Sequence, residues 1–328
     1  MRRILLAALA AAVAALVGMA GAEAAEVVRV GVLKFGTVNW ELDAMKRHGL
    51  DTKHGVEVEI IPFAGEDATD VALQAGSVDM IVSDWLWVSR LRTDGKRLTF
   101  APYSSSVGSM MVPADSPLKS LGDLKNKRIG VAGGPLDKNW LLIQALARRD
   151  AKVDLAASND IVYGAPPLLA EKAKSGELDA VLCFWNYAAR LEAAGFRTLV
   201  SGEQAAKAFG ATGPVASIGY VFDEAFAETH PQAVDGFLKA SRETKQLLKT
   251  SDEEWAALSP LVRPEDEKTL LVMRDRYREG IPARPLAEEE ADARTLYGLL
   301  RDIGGEKLVG KGETLAPGTF WSGTRDGS

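Results

Sequence analysis

The sequence predicts an α/β fold of two similar lobes, each a mainly parallel sheet flanked by helices, with a cleft between them. Three observations point there. Short Val-rich runs alternate with amphipathic stretches, starting at "EVVRVGVLKFG" (26–36). Strand alternating with helix means a parallel sheet with right-handed crossovers. The alternation then restarts near residue 99. Finally, two distant stretches, "LQAGSVDMIVSDWLWVSRLR" and "AKSGELDAVLCFWNYAARLE", share a helix end, Gly, Asp, an apolar strand, Trp and an aromatic-rich helix start. They place Trp85 and Trp185 at equivalent strand ends of the two lobes.

Each element follows from its punctuation. After the first strand, Asn39 is positioned to cap a helix that Gly49 ends. "HGVEVEIIPF" (54–63) alternates and then turns fully apolar, as a second strand does. "DATDVALQAGS" is a short helix stopped by Gly76. Val78 to Val82 is a third strand, followed by a helix over Trp85 to Arg92. "TFAPYSSSVGSMMVPADS" (99–116) holds extended stretches around Gly108. The second half gives a strand at Arg128 to Ala132, a glycine turn, and a helix from near Pro135, where proline suits the first turn. A strand at Ala180 to Phe184, a helix and the strand "FRTLVS" follow. "VASIGYVF" is another strand before a long helix, and the chain to about Gly304 is mainly helical. "PGTFW" (317–321) reads as a loop that packs back onto the body.

The first 24 residues read as a secretory signal peptide: Arg2 and Arg3, the apolar run Ile4 to Val17, then small-x-small sites at Ala20-Gly21-Ala22 and Ala22-Glu23-Ala24. A membrane anchor is the alternative, but the run is short for a span of about 20 residues. The one cysteine, Cys183, permits no intrachain disulfide, so stability rests on core burial. Without the leader the chain carries 37 basic and 44 acidic residues, a net charge of −7. A nucleic-acid partner, which wants a basic face, is not expected.

Five segments carry a family resemblance: "VRVGVLKFGTVNWELDAMKRHGLDTKHGVEVEIIPF", "ALQAGSVDMIVSDW", "SPLKSLGDLKNKRIGVAGG", "GELDAVLCFWNYAARLEAAGF" and "GYVFDEAFAETHPQAVDGFLKA". The sequence resembles the periplasmic solute-binding proteins of ABC importers, in the NitT/TauT-like branch that serves nitrate, sulfonates, taurine and thiamine precursors. The resemblance implies a type II periplasmic binding fold, with lobe 1 made of 25–108 and 216–328 and lobe 2 of 109–215. The crossings would lie near Val107 to Val112 and Pro214 to Tyr220. It further implies a monomer in the periplasm, a small-molecule solute, permease subunits as partners, and neither cofactor nor metal. The loops "FGTVNW", "SDWLW" and "GGPLDKNW" depart from the sulfonate and nitrate members, so the solute stays open.

In open α/β sheets, ligands sit outside the carboxyl ends of the strands. Four loops fall there, each with an indole. They supply Phe35, Thr37, Asn39 and Trp40; Ser83, Asp84 and Trp85; Gly134, Asp137 and Trp140; and Trp185 and Tyr187. Ser106, in "YSSSVG", adds a hydroxyl. An indole face stacks on a flat ring or holds a cation, for roughly 0.5–2 kcal/mol. Bare glycine amides beside a helix start attract anions. Structural roles compete. Trp40, Trp87 and Trp140 sit at helix starts, where indoles pack on the sheet; Asp84 is a favoured N-cap; Asp137 suits a helix dipole. Indoles beside Asp84, with no arginine in the four loops, point to a planar or cationic solute, although Lys138 argues the other way.

Catalysis finds little support. The three histidines (His48, His54, His230) join no Ser or Cys motif, and no G-x-S-x-G, H-E-x-x-H or P-loop occurs. Cys183 reads as a small core residue. The alternative to transport is an accessory protein that docks on a periplasmic enzyme; a cleft filled by its own tryptophans would favour it.

Overall fold

The structure, a computed structural model, describes residues 25–323, so the expected signal peptide lies outside the described residues. Two five-stranded sheets organise the chain. The first runs β2-β1-β3-β10-β4 and the second β7-β6-β8-β5-β9. The strands are β1 (Glu26–Leu33), β2 (Val56–Phe63), β3 (Met80–Ser83), β4 (Leu98–Ser104), β5 (Ser109–Pro113), β6 (Arg128–Val131), β7 (Asp160–Tyr163), β8 (Ala180–Cys183), β9 (Phe196–Ser201) and β10 (Ile218–Asp223). In each sheet one strand runs against the rest: β10 is antiparallel to β3 and β4, and β5 to β8 and β9. These two are the strands by which the chain enters the second sheet and returns to the first. The chain leaves the first sheet after Ser104 and comes back to it at Ile218.

The internal repeat seen in the sequence is structural. Strands β3 and β8 hold the same central place in their sheets. Each is clamped the same way: Arg29 bonds Asp79 and the Gly76 carbonyl, and Arg128 bonds Asp179 and the Gly176 carbonyl. The Gly and Asp of the two similar stretches are thus one device used twice, tying the strand entrance to the preceding helix end.

Helix assignments hold with local adjustments. The first helix is Val38–Arg47, and Thr37, not Asn39, stands at its N-cap. Asn39 instead donates its amide to the carbonyls of Leu33 and Gly36, at 2.8 Å each. The helix expected near Pro135 begins at Lys138, with Asp137 as its cap. "PGTFW" does pack back: Phe320 bridges Phe100 on the edge strand β4.

The C-terminal helices touch both lobes. Glu267–Glu279 lies on Trp185–Ala193, where Arg276 pairs with Glu192 and Lys268 bonds the Ala193 carbonyl. Leu286–Gly304 lies on Lys138–Leu146. One hydrophobic cluster therefore runs from Trp85 and Phe100, through Leu296 and Leu300, to Trp140 and Ile129. Packing this continuous holds the lobes together by burial as well as by two covalent crossings.

Candidate functional site

All four loops expected at the cleft do sit at carboxyl ends of strands, but their side chains divide. Trp140 is fully buried and Trp85 is 4% exposed, packed 6.5 Å from the Phe320 ring. Trp40 is also buried, edge-on to Trp255 and to Trp185 with centroids 5.9 Å apart in each pair. The Trp40–Trp185 contact crosses between lobes. Core packing thus takes Trp85, Trp140 and nearly all of Trp40: the first two pack in the core that runs through both sheets, and Trp40 packs among helices, with only an edge left to the cleft.

The two aspartates also have structural partners. Asp84 accepts from the Trp87 N–H at 3.0 Å and pairs with Lys138 across the lobes at 2.9 Å. Burial pushes its carboxyl up, but the Lys138 ammonium and the N–H groups of Trp87 and Leu86 bring it below the ordinary range. Asp137 accepts from the Trp140 N–H at 2.9 Å, and burial raises its carboxyl. Lys138 therefore sits between two helix-capping carboxylates. Asp84, already neutralised, does not present a free anion to a cationic solute. Ser83 is held in the ladder opposite Gly219, and the Thr37 side chain caps nothing. Gly133 and Gly134 both have positive φ (84° and 80°), so the turn before Asp137 needs glycine. A Cβ on Gly133 would also press on the Asp137 carboxylate.

The open space lies to one side of these contacts. A cavity of about 450 Å³ opens between the loop after β1 and the second lobe. Phe35, Asn39 and Trp40 line it from the first lobe, Tyr187 and Arg190 from the second. Phe35 is 85% exposed, a large apolar surface that the fold leaves uncovered. The helix Asp252–Val262 and the residues just beyond it form a further wall with Leu261, Arg263 and Glu265. Arg190 is fixed there by the Val262 carbonyl (2.7 Å), the Arg263 carbonyl (3.0 Å) and Glu265 (2.5 Å). Arg263 itself is a non-glycine residue in the left-handed region, φ 50°, ψ 56°. Such a conformation costs about 1–2 kcal/mol and persists where surroundings impose it.

Charge in this cavity comes from residues outside the four loops. Lys34, Lys174, Arg190 and Arg263 face only Glu171 and Glu265, an excess of two positive charges. Glu171 pairs with Lys174 and Glu265 with Arg190, so Lys34 and Arg263 keep unopposed cations among the described residues. Sequence reading missed all four. Arg190 had a signal: it lies one turn beyond Tyr187 on the same helix face. Arg263 had none, being brought in by tertiary packing.

With this geometry in view, the chain can be set beside known proteins. The family described as NMT1/THI5 like matches residues 44–254, more than half of the sequence. The chain belongs to the NMT1/THI5-like family. No curated protein matches it by sequence. Among solved structures, it resembles the periplasmic aliphatic sulphonate binding protein SsuA from Escherichia coli (18% identity, TM-score 0.71, covering 92% of this chain and 94% of that one). It also resembles the alkanesulfonate-binding protein SsuA from Xanthomonas axonopodis pv. citri bound to MOPS (17%, TM-score 0.66, 92% and 99%). A third, the desulfurization enzyme DSZB, is more distant (15%, TM-score 0.54, 85% and 92%). These likenesses establish the two-lobed periplasmic-binding-protein fold.

The three histidines of the NMT1/THI5-like chain have separate partners. His48 bonds Glu254 and His54 bonds Glu243, each at 2.7 Å, and His230 bonds Thr229. The first two thus have separate carboxylate neighbours. No group of three or more His, Cys, Asp or Glu side chains could hold a metal ion among the described residues. Burial pushes the Cys183 thiol up to about 12, which suits an inert core residue.

One carboxyl of this NMT1/THI5-like chain is held above the usual carboxylate range. Burial, then the charges of Glu66, Asp84 and Asp67, push Asp70 up to about 6. A folded value above the unfolded one destabilises the fold; that cost is fully present above about pH 6, shrinks between pH 6 and pH 4, and is gone below about pH 4. Asp70→Asn is therefore expected to raise the melting temperature at pH 7.5. The gain should shrink steadily between pH 6 and pH 4 in a melt series; a pH-independent gain would rule out this origin.

Proposed function

We propose that the protein is exported by cleavage of residues 1–24, captures a small organic solute between its lobes in the periplasm, and delivers it to the permease subunits of an ABC importer. It performs no catalysis in this reading. The observation that carries it is the 450 Å³ inter-lobe cavity, walled by Phe35 and Tyr187 and bearing unopposed Lys34 and Arg263. That volume suits a small ligand site with an apolar wall and few polar anchors. The solute we assign has a flat or apolar body and one acidic group. This replaces the cationic expectation, because Lys138 already satisfies Asp84 and the cations of the cavity lie outside the loops that prompted it. The sulfonate-binding neighbours support an acidic solute.

A second reading has its own support. The Trp40–Trp185 contact and the Asp84–Lys138 bridge join the two lobes directly across the cleft. A protein built that way also suits docking on an enzyme of the same compartment.

A melt screen separates the two. The mature protein is heated with a panel of aromatic and aliphatic carboxylates and sulfonates, and with matched amines. A ligand at about 100 times its Kd adds roughly 2.7 kcal/mol. Capture predicts a shift of several degrees with an acid and none with its amine analogue. The shift should fall in Arg263→Gly, which keeps the left-handed backbone without strain. A flat panel would favour docking.

A further inference from the structure

The turn that carries Arg263 joins a helix packed on one lobe to a helix packed on the other. The helix before it, Asp252–Val262, lies on the first-lobe helix Val38–Arg47. The helix after it, Glu267–Glu279, lies on the second-lobe helix Trp185–Ala193. Arg263 ends the first of these helices in the left-handed region and is followed by Pro264. A residue before proline is steered toward extended backbone, and left-handed backbone carries a steric penalty for any side chain. Local preference therefore does not choose this turn, and something outside it must hold it.

Arg190 does so. It reaches over from the second-lobe helix and donates to the Val262 carbonyl at 2.7 Å, the Arg263 carbonyl at 3.0 Å and Glu265 at 2.5 Å. The last carbonyls of a helix have no partner within it, and a cation beside them suits the helix dipole. Here that cap comes from the other lobe, so the helix end is finished only where Arg190 stands. Three of its donor bonds are spent in this way, and its side chain is 17% exposed. That leaves a solute's acid to Lys34 and Arg263, which are exposed at the cavity. The same guanidinium lies 5.8 Å from the centre of the Tyr187 ring. One residue thus sets both an acid anchor and an aromatic wall of the mouth cavity.

We infer that Arg190 is a positioning residue: by capping the helix end from the second lobe it sets Arg263 at the mouth cavity, so the acid anchor is complete only while the lobes stand together. This rests on the reading that the mouth cavity holds an acidic solute. A ligand shifts an equilibrium between two arrangements only through its different affinity for them. An anchor finished in one arrangement supplies that difference for an acid, and not for a neutral molecule of the same shape. Acid capture and lobe closure are then one coupled event.

Isothermal titration of the mature protein with benzenesulfonate, and with benzenesulfonamide as its neutral counterpart, tests this. Arg190→Gln should weaken benzenesulfonate at least tenfold and leave benzenesulfonamide within twofold. Arg263→Gly should do the same, and the double variant should bind no more weakly than either single one, because the two residues act as a unit. Arg190→Lys keeps the charge but brings one ammonium to two carbonyls, and should fall between. Amide exchange gives a readout without ligand. The Arg263 N–H donates to the Ser259 carbonyl at 2.8 Å and should exchange at least tenfold faster in Arg190→Gln, with the helix Trp185–Ala193 still protected. Equal loss of sulfonate and sulfonamide, an additive double variant, or unchanged exchange at Arg263 would overturn the inference and leave the mouth reading standing. A parent protein that binds no benzenesulfonate would overturn both.

Discussion

Lys245→Met is expected to lower the melting temperature by roughly 6–10 °C. Glu41 is fully buried and gathers four partners: Lys245 (2.5 Å), Ser241 (2.6 Å), Tyr220 (2.9 Å) and Tyr277 (3.4 Å). Burial pushes the Lys245 ammonium down, against the pull of Glu41, and the Tyr103 ring lies 4.3 Å from it. Removing one member leaves a buried charge unpaired, at about 3–5 kcal/mol. A chain of this size loses about 2 °C per kcal/mol. Replacing both charges, as Glu41→Leu with Lys245→Met, should recover much of the loss, since apolar substitutes for buried pairs are often neutral. The check is calorimetry of the single and double variants. A single variant as stable as the parent would mean the pair supports nothing.

The second large effect falls on the lobe interface. Trp185 reaches from the second lobe toward Trp40 at 5.9 Å and Tyr277 at 6.3 Å. Those rings stand on the Trp255 and Glu41 assembly, so Trp185 is the aromatic link between the lobes. Aromatic pairs of this kind contribute about 0.5–1.5 kcal/mol each beyond their burial. Trp185→Ala should therefore loosen closure while both sheets stay folded. Small-angle scattering should show a larger radius of gyration with unchanged circular dichroism. The affinity for the solute should drop at least tenfold, because closure contributes to binding. Unchanged scattering would mean that Asp84–Lys138 and the C-terminal helices hold the lobes without this contact.

Much of the fold was legible because it rests on local rules. Strand β3 and strand β8 announced themselves by a Gly-x-x-Asp entrance, an apolar run and a following Trp, and both entrances are closed by arginine clamps from the neighbouring strand. The capping alternative for Asp84 was also local, and its carboxylate does accept the expected N–H; Asp137, read as a first-turn charge, stands one position earlier, as the N-cap of its helix. What the sequence hid depends on distance. Lys245 is 204 positions from Glu41, and neither residue looks unusual in its own helix. Arg263 enters the mouth only because the end of its helix, which packs on the first-lobe helix Val38–Arg47, is met there by Arg190 of the second lobe. The tryptophans stayed ambiguous in the sequence for a related reason. Their position at strand ends was readable, but whether an indole turns to the cleft or to the core depends on what packs above it. Here Phe320 covers Trp85 and Trp255 covers Trp40.

The central claim is that the mouth cavity holds the solute. The most direct measurement is a crystal structure with whichever acid gives the largest melt shift. The account predicts density between Phe35 and Tyr187, with the acidic group within hydrogen-bond reach of Arg263 or Lys34. Density elsewhere on the protein, with this cavity empty, would contradict it.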